Sequence, residues 1–351
     1  MGILNMKPKK NSGAVLITVL VVVFIVMTII TNITVKNYRV IRRLNNQNIK
    51  QQANSILLAG INFGRAGLAT SGATSQFDSL TDIWAQPMPK TKFIDDIQLS
   101  GYIADEQGKF NINDLVYNGN VNKTILEQFT SLLNFLNIPS GMASNIALYM
   151  ASPQNQSAIM SQYTTGTPAY RPAGRPLIDL SELMLVKGMQ AAWVFKLSKH
   201  VAVIPQFIDY SGLNLTESGT QKPPAIQLGT QAPPPGMSVN VNTASPEVIS
   251  AKSNIPLPVA QRIAAQRNNV PFKTNQEVTA FPTQNGIMMS QNKAGEGAKQ
   301  KIDTSTLTTQ SSYFTIHAIV NSGDYEFRWV ALVNRASRDG QWPRVLWQHP
   351  E

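Results

Sequence analysis

The sequence predicts an α+β chain: a long N-terminal helix laid on an antiparallel sheet, with a large, mostly helical insertion between the strands. Three observations carry this. Residues 14–69 contain no proline and keep apolar side chains at helical intervals over their second half. Residues 115–300 are mostly helical in pattern, with a break rich in Pro, Gly and Gln. Residues 313–347 alternate apolar and polar side chains between glycine-containing turns.

The opening element is "KPKKNSGAVLITVLVVVFIVMTIITNITV", Lys7 to Val35, with no charge between Lys10 and Lys36. A bilayer core takes about 20 apolar residues in a helix, and Ala14–Val35 is long enough. A secretory signal has a core of about 7–15 residues followed by small residues at its cut site. Here no A-x-A pattern closes the run, and the small residue, Gly13, precedes it. A cut after Gly13 removes residues 1–13, keeps the helix, makes Ala14 the first residue and puts Thr18 fifth. An uncleaved signal anchor is the other reading. Basic residues flank both ends (Lys7, Lys9 and Lys10; then Lys36, Arg39, Arg42 and Arg43), so their count sets no orientation.

Past Lys36 the helix continues as an amphipathic one, with Ile41, Leu44, Ala53, Ile56, Leu57, Ile61 and Leu68 on its apolar side. Gly60, Gly64 and Gly67 permit close packing at some cost to the helix. After a loop rich in Ser, Thr, Asp and Pro, Ile97–Ile103 reads as a strand, Asp105-Glu106-Gln107-Gly108 as a turn, and Phe110–Ile112 as the returning strand of a hairpin. Asp105 and Glu106 are a candidate pair for a hard cation, or a solvated turn.

In the middle, "VNKTILEQFTSLLNFLNI" is a helix with Asn122 or Thr124 as its N-cap. "DLSELMLVKGM" is a short helix with Ser181 as a cap, and Asp179 and Glu182 are a second candidate pair for a cation. "HVAVIP" ends in a short strand. A Pro-rich connector near 218–236 divides the helical part into two lobes. The second lobe has a helix-hairpin-helix layout: Thr243 or Ser245 caps one helix, Pro258 opens the next, and "PFKTNQEV" begins a third. DNA-binding versions present backbone N–H groups to a phosphate. Here Pro256 and Pro258 have none to give, which leaves Arg262 and Arg267 as the contacts for a nucleic-acid reading.

At the C-terminal end, Phe314, Ile316, Ala318 and Val320 share one face. Tyr325, Phe327, Trp329, Ala331 and Val333 share a face of the next strand, and Val345–Trp347 forms a third. Such a sheet leaves an apolar face that the amphipathic half of the first helix can cover.

Composition narrows the chemistry. The net charge is +10, but basic residues are mostly scattered, as on a solvated surface. There are no cysteines, which excludes disulfides, cysteine metal sites and cysteine nucleophiles. His200, His317 and His349 are far apart, and no Gly-x-Ser-x-Gly, P-loop or metal-ligand spacing occurs. The chain is not expected to be an enzyme; the one reaction expected is done to it, at the Gly13–Ala14 bond.

A short basic leader ending in Gly before a retained apolar helix resembles the type IV prepilin family. "DEQGKFNINDL", "RPLIDLSELMLVKGM" and "VNVNTASPEVISA" resemble phrases of one subfamily, general secretion pathway protein K, the minor pseudopilin of type II secretion. The resemblance implies a prepilin leader at 1–13, a transmembrane helix at 14–35, and a pilin-like helix and first strands at 36–114. The helical insertion follows at 115–300, and the last strands of the pilin-like sheet at 301–351. It implies cleavage and N-methylation by a prepilin peptidase at Gly13 and Ala14. It places the protein at the tip of a periplasmic pseudopilus, with I- and J-type minor pseudopilins as partners. The anchor would be single-pass in inner-membrane lipid, with the bulk in the periplasm. No cofactor is implied beyond calcium, whose ligands the resemblance does not assign. Most pilins carry Glu at the fifth mature position; Thr18 there matches a subunit with no earlier amine to neutralise. The alternative reading is an anchored DNA-uptake or DNA-binding pilus-tip protein using the helix-hairpin-helix lobe.

Overall fold

Helix α1 runs unbroken from Ser12 to Thr74, 63 residues, or about 95 Å at 1.5 Å per residue. The computed structural model describes residues 12–94, 97–165, 167–205, 236–284 and 303–351. Residues 1–11 of the expected leader, and all but Gly236 of the expected connector, lie outside the described residues. Along Val15–Val35 every large apolar side chain of α1 is exposed. Thr28, Thr31 and Thr34 return their hydroxyls to the carbonyls of Phe24, Met27 and Ile30. That satisfies them within the helix, as apolar surroundings require. Further along, Ala53, Ile56, Leu57, Ile61 and Leu68 are buried.

Two strands follow, β1 (Met88–Ile94) and β2 (Ile97–Asp105). The chain then leaves the sheet for β3 (Phe110–Asn111), β4 (Val116–Tyr117), β5 (Asn120–Val121), α2 (Lys123–Phe135), α3 (Gly141–Met150), α4 (Ser157–Thr164), α5 (Ala191–Leu197) and β6 (Val201–Ala202). Beyond the connector come β7 (Val239–Asn240), α6 (Pro246–Ser253), α7 (Leu257–Asn269), α8 (Asn275–Gln284) and β8 (Leu307–Thr308). Three long strands close the chain: β9 (Tyr313–Ser322), β10 (Tyr325–Asn334) and β11 (Arg344–Pro350).

The main sheet is antiparallel, in the order β1-β2-β9-β10-β11. Its inner face, with Leu99, Phe314, Ile316, Ala318, Val320, Ala331 and Val333, forms one apolar cluster with Ala53, Leu57, Ile61, Leu68 and Trp84. Full burial of each large side chain contributes roughly 1.5–3 kcal/mol. Glycines set the approach of α1. A Cβ at Gly60 would lie 3.1 Å from Leu99 Cδ1, and one at Gly64 would lie 2.8 Å from Ile316 Cγ2. Gly60 also faces Ala318, so α1 runs antiparallel to β9 here. Four helical residues rise about 6 Å and two strand residues about 6.8 Å, so glycines spaced by four stay in step with alternate strand residues.

The expected hairpin of β2 is corrected. Phe110–Ile112 does not return along β2. β3 pairs in parallel with β6, Phe110 opposite Val201, inside the helical part. The hairpin partner of β2 is β1, on the N-terminal side. The segment 106–108 is a 3-10 turn whose N-cap, Asp105, accepts from Gln107 N. It turns the chain out of the sheet rather than back along it.

The helical part has a single apolar core. Phe110, Phe129, Leu132, Ile146 and Leu197 share it with Val239, Ile249, Ile263 and Leu307. The segments on either side of the connector therefore fold around the same interior. Asn122 caps α2, accepting from Ile125 N. The cap of the 3-10 turn Leu180–Leu185 is Asp179, not Ser181.

Candidate functional site

The Gly13–Ala14 bond lies in the first turn of α1. One turn on, the Thr18 hydroxyl donates to Val15 O at 3.1 Å. A single α1 thus carries the expected processing position, an apolar stretch long enough to cross a membrane, and the helix that covers the sheet.

At the far end of α1 the chain builds a buried polar junction. Asp78 is fully buried four residues past the helix. Its carboxylate accepts from Arg335 Nη2 at 2.7 and 2.6 Å, from Ser311 N at 2.8 Å, and from Arg338. The same two arginines close the end of α1: Arg335 Nη1 donates to Leu68 O at 3.3 Å and Arg338 Nη1 to Ser75 O at 2.8 Å. The Arg335 guanidinium also lies over the Phe314 ring, 4.8 Å from its centroid.

Asp105, at the end of β2, extends this junction to the helical part. Its Oδ2 accepts from Ser311 Oγ at 2.6 Å, Thr243 Oγ1 at 2.6 Å and Asn240 Nδ2 at 3.2 Å. Burial raises the Asp105 carboxyl to about 6. The two hydroxyls pull the other way, and the charge on Asp78 adds to the rise. Gly108 is needed beneath Thr243, because a Cβ there would stand 2.6 Å from its Oγ1. "DEQG" and "VNVNTAS" are therefore two halves of one contact.

Asparagines do similar work deeper in. Asn113 Oδ1 accepts from Leu177 N at 2.8 Å, while its Nδ2 donates to Leu177 O and Ile204 O, each at 3.0 Å. Asn242 binds both the N–H and the carbonyl of Phe272, at 2.9 and 2.8 Å. A side-chain amide has the donor and acceptor of a peptide group, so each stands in for a strand partner and pins a distant loop. This joins "NINDL" to "RPLIDL".

The candidate cation residues are held by internal donors. Asp105 sits in the junction. Glu106 accepts from Lys109 Nζ at 2.9 Å and from Thr315 Oγ1 at 2.8 Å. Asp179 and Glu182 form a capping box. Partial burial works to raise Glu182, but N–H donors from Ile178 and Asp179 and the Arg175 pair prevail, so its pKa is lowered. Among the described residues no group of three or more His, Asp or Glu has a metal-holding arrangement.

The helix-hairpin-helix frame is present as α6, a turn at Asn254–Pro256, and α7. Ser245 caps α6, and Asn254 takes a left-handed conformation with φ 58°. Arg267, offered by the sequence for nucleic acid, faces inward and donates to the carbonyls of Val241 and Ala244. Burial lowers its pKa to about 10. His200 Nδ1 is 2.8 Å from Ser245 Oγ, and burial lowers its pKa.

Sequence reasoning missed Asp78, Arg335 and Arg338. The arginines lie 257 and 260 residues from Asp78 in sequence, and nothing in the C-terminal stretch around them marks either as its partner. The one available signal was Asp78 itself, the first acidic residue after a long acid-free stretch.

Two family models, both described as type II secretion system protein K, match residues 108–206 and 239–298. The type II secretion system protein K of Pseudomonas aeruginosa PAO1 is 28% identical over 345 residues, covering 94% of this chain and 90% of that protein. In fold, the chain is similar to a chain in the crystal structure of the GspK-GspI-GspJ complex from the enterotoxigenic Escherichia coli type 2 secretion system. The TM-score is 0.58 at 18% identity, over 88% of this chain and 99% of that one.

Proposed function

This chain belongs to the type II secretion system protein K family, and on that premise we propose that it caps the pseudopilus as its membrane-anchored tip subunit. It is a minor pseudopilin, a structural component of type II secretion. The observation that carries the tip reading is the position of the junction. Asp78 comes four residues after Thr74, the end of α1, which lies about 58 Å along the helix axis from Val35 at 1.5 Å per residue. There Asp105 and Thr243 attach the helical part to the end of α1 and the sheet. The bulk of the protein thus hangs on the end away from the membrane, where the next subunit of a stack would sit.

The steps follow from the chain's parts. A prepilin peptidase cuts after Gly13 and methylates the Ala14 amine, and α1 is retained as a single-pass inner-membrane anchor with the bulk in the periplasm. The apolar part of α1 then leaves the bilayer for a bundle with other pseudopilin helices. Thr18, neutral and bonded to its own helix, suits the first-placed subunit, which has no preceding amine to pair. The partners at the tip are I- and J-type minor pseudopilins, by analogy with the E. coli complex.

Two measurements test this. Mass spectrometry of the protein from its native membrane should find methylated Ala14 at the N-terminus; an intact leader overturns the processing step. Co-purification should recover the I- and J-type subunits with this chain; their absence overturns the tip assignment.

A further inference from the structure

Between the apolar run and the part of α1 that packs on the sheet lies a stretch of one sign of charge. Lys36, Arg39, Arg42, Arg43 and Lys50 fall here, all exposed, and no Asp or Glu occurs between Lys36 and Phe77. The helix therefore offers none of the carboxylates, three or four residues away, that commonly neutralise exposed helix cations. Among the described residues no salt bridge joins these five to an acidic side chain from elsewhere in the fold. Their countercharge comes from outside the chain.

Position says where. At 1.5 Å per residue, Lys36 to Arg43 stand about 2–12 Å beyond Val35. The polar layer of a bilayer is roughly 5–8 Å deep on each side, within reach of these long side chains. Lys50, at about 22 Å, is more than a Debye length of about 8 Å above it. Tyr38 lies in the same window, with the Arg42 guanidinium 5.0 Å from its ring centroid. An aromatic ring at this level is a common interfacial anchor. Arginine suits phosphate because its planar fork donates two bonds at once.

We propose that Arg39, Arg42 and Arg43, with Lys36, bind the phosphates of anionic phospholipids in the leaflet reached by the C-terminal end of the apolar run. The proposal rests on that run spanning the bilayer. The site holds the anchor at a fixed depth until the helix leaves the membrane. It also gives a use to basic residues that weaken the charge bias orienting the span.

The test uses the full chain reconstituted in phosphatidylcholine vesicles with a minor fraction of phosphatidylglycerol. Spin-labelled forms of the two lipids report which one occupies the shell around the protein. The expected result is a several-fold preference for phosphatidylglycerol that weakens with added salt. In the R39Q/R42Q/R43Q variant the preference falls close to unity, while the protein still floats with the vesicles and keeps its Tm. Those side chains are exposed, so the variant should fold. Equal occupancy in the wild type overturns the proposal, as does a preference that survives in the variant, which would then belong to the leader lysines. Wild-type protein that fails to float refutes the spanning reading itself. Loss of a pseudopilin partner in the variant, without any lipid preference in the wild type, assigns the patch to protein and overturns the proposal.

Discussion

The carboxylate of Asp105, at the end of a sheet strand, accepts a 2.6 Å hydrogen bond from the hydroxyl of Thr243, 138 residues later in the helical part. With Ser311 and Asn240 on the same oxygen, one side chain joins the sheet to the segment that carries most of the protein's bulk.

The burial of Asp105 should make stability depend on pH in an unusual direction. Burial raises Asp105 to about 6 in the folded state, against an ordinary value near 4. The folded chain therefore holds this proton more tightly than the unfolded chain. The stability contributed by this group is present below about pH 4 and lost as the pH rises through about 6. The change is of the order of 2–3 kcal/mol. Thermal unfolding from pH 4 to 7 should show the Tm of wild type falling relative to that of Asp105→Asn. Parallel profiles would contradict it.

Asp78→Ala leaves Arg335 and Arg338 with backbone carbonyl acceptors but no countercharge, Arg335 almost fully buried. Breaking a buried pair from one side costs about 3–5 kcal/mol. Urea unfolding of the purified chain measures it, and a loss below about 1 kcal/mol would show that the junction is solvated.

The glycines of α1 should respond in opposite directions. Gly64→Ala puts a methyl 2.8 Å from Ile316 Cγ2, so α1 must lift or the isoleucine must move; about 1–3 kcal/mol is lost. Gly67→Ala meets nothing within 4 Å and should stabilise the helix by about 0.5–1 kcal/mol. Thermal shifts of the two variants in one buffer decide the comparison.

Asn113→Ala removes three bonds that hold Leu177 and Ile204, and leaves buried backbone groups without partners. A loss of about 2–3 kcal/mol is expected. Proteolysis should then cut earlier around 175–180 than in wild type; an unchanged pattern would show that the loop is held by other contacts.

Much of this architecture was legible in the sequence. The apolar spacing from Ala53 to Leu68, and the alternation of Phe314, Ile316, Ala318 and Val320, matched faces that are in fact buried. β1 carries no strand signal because it has no buried face: it holds Pro89, Lys90 and Lys92 and has a register irregularity between Met88 and Thr91. An edge strand of this kind avoids further pairing, and the same features remove its periodic signal. The partner of Phe110–Asn111 is not legible in the sequence, because alternation does not say which strand lies alongside. The junction was only half visible. Asp105 and Thr243 lie in recognisable phrases, but the Asp78–Arg335 pair depends on a fold that brings distant residues together.

The in-step packing of α1 along β9 has a mechanical consequence. Because Gly60 and Gly64 lie over Ala318 and Ile316 in antiparallel order, a pull along the helix axis slides the two elements past each other instead of peeling them apart. In shear of this kind, all the seam contacts resist together, and the ionic clasp at Asp78 holds the far end. A load on α1 is therefore shared along the whole seam instead of falling on one residue after another.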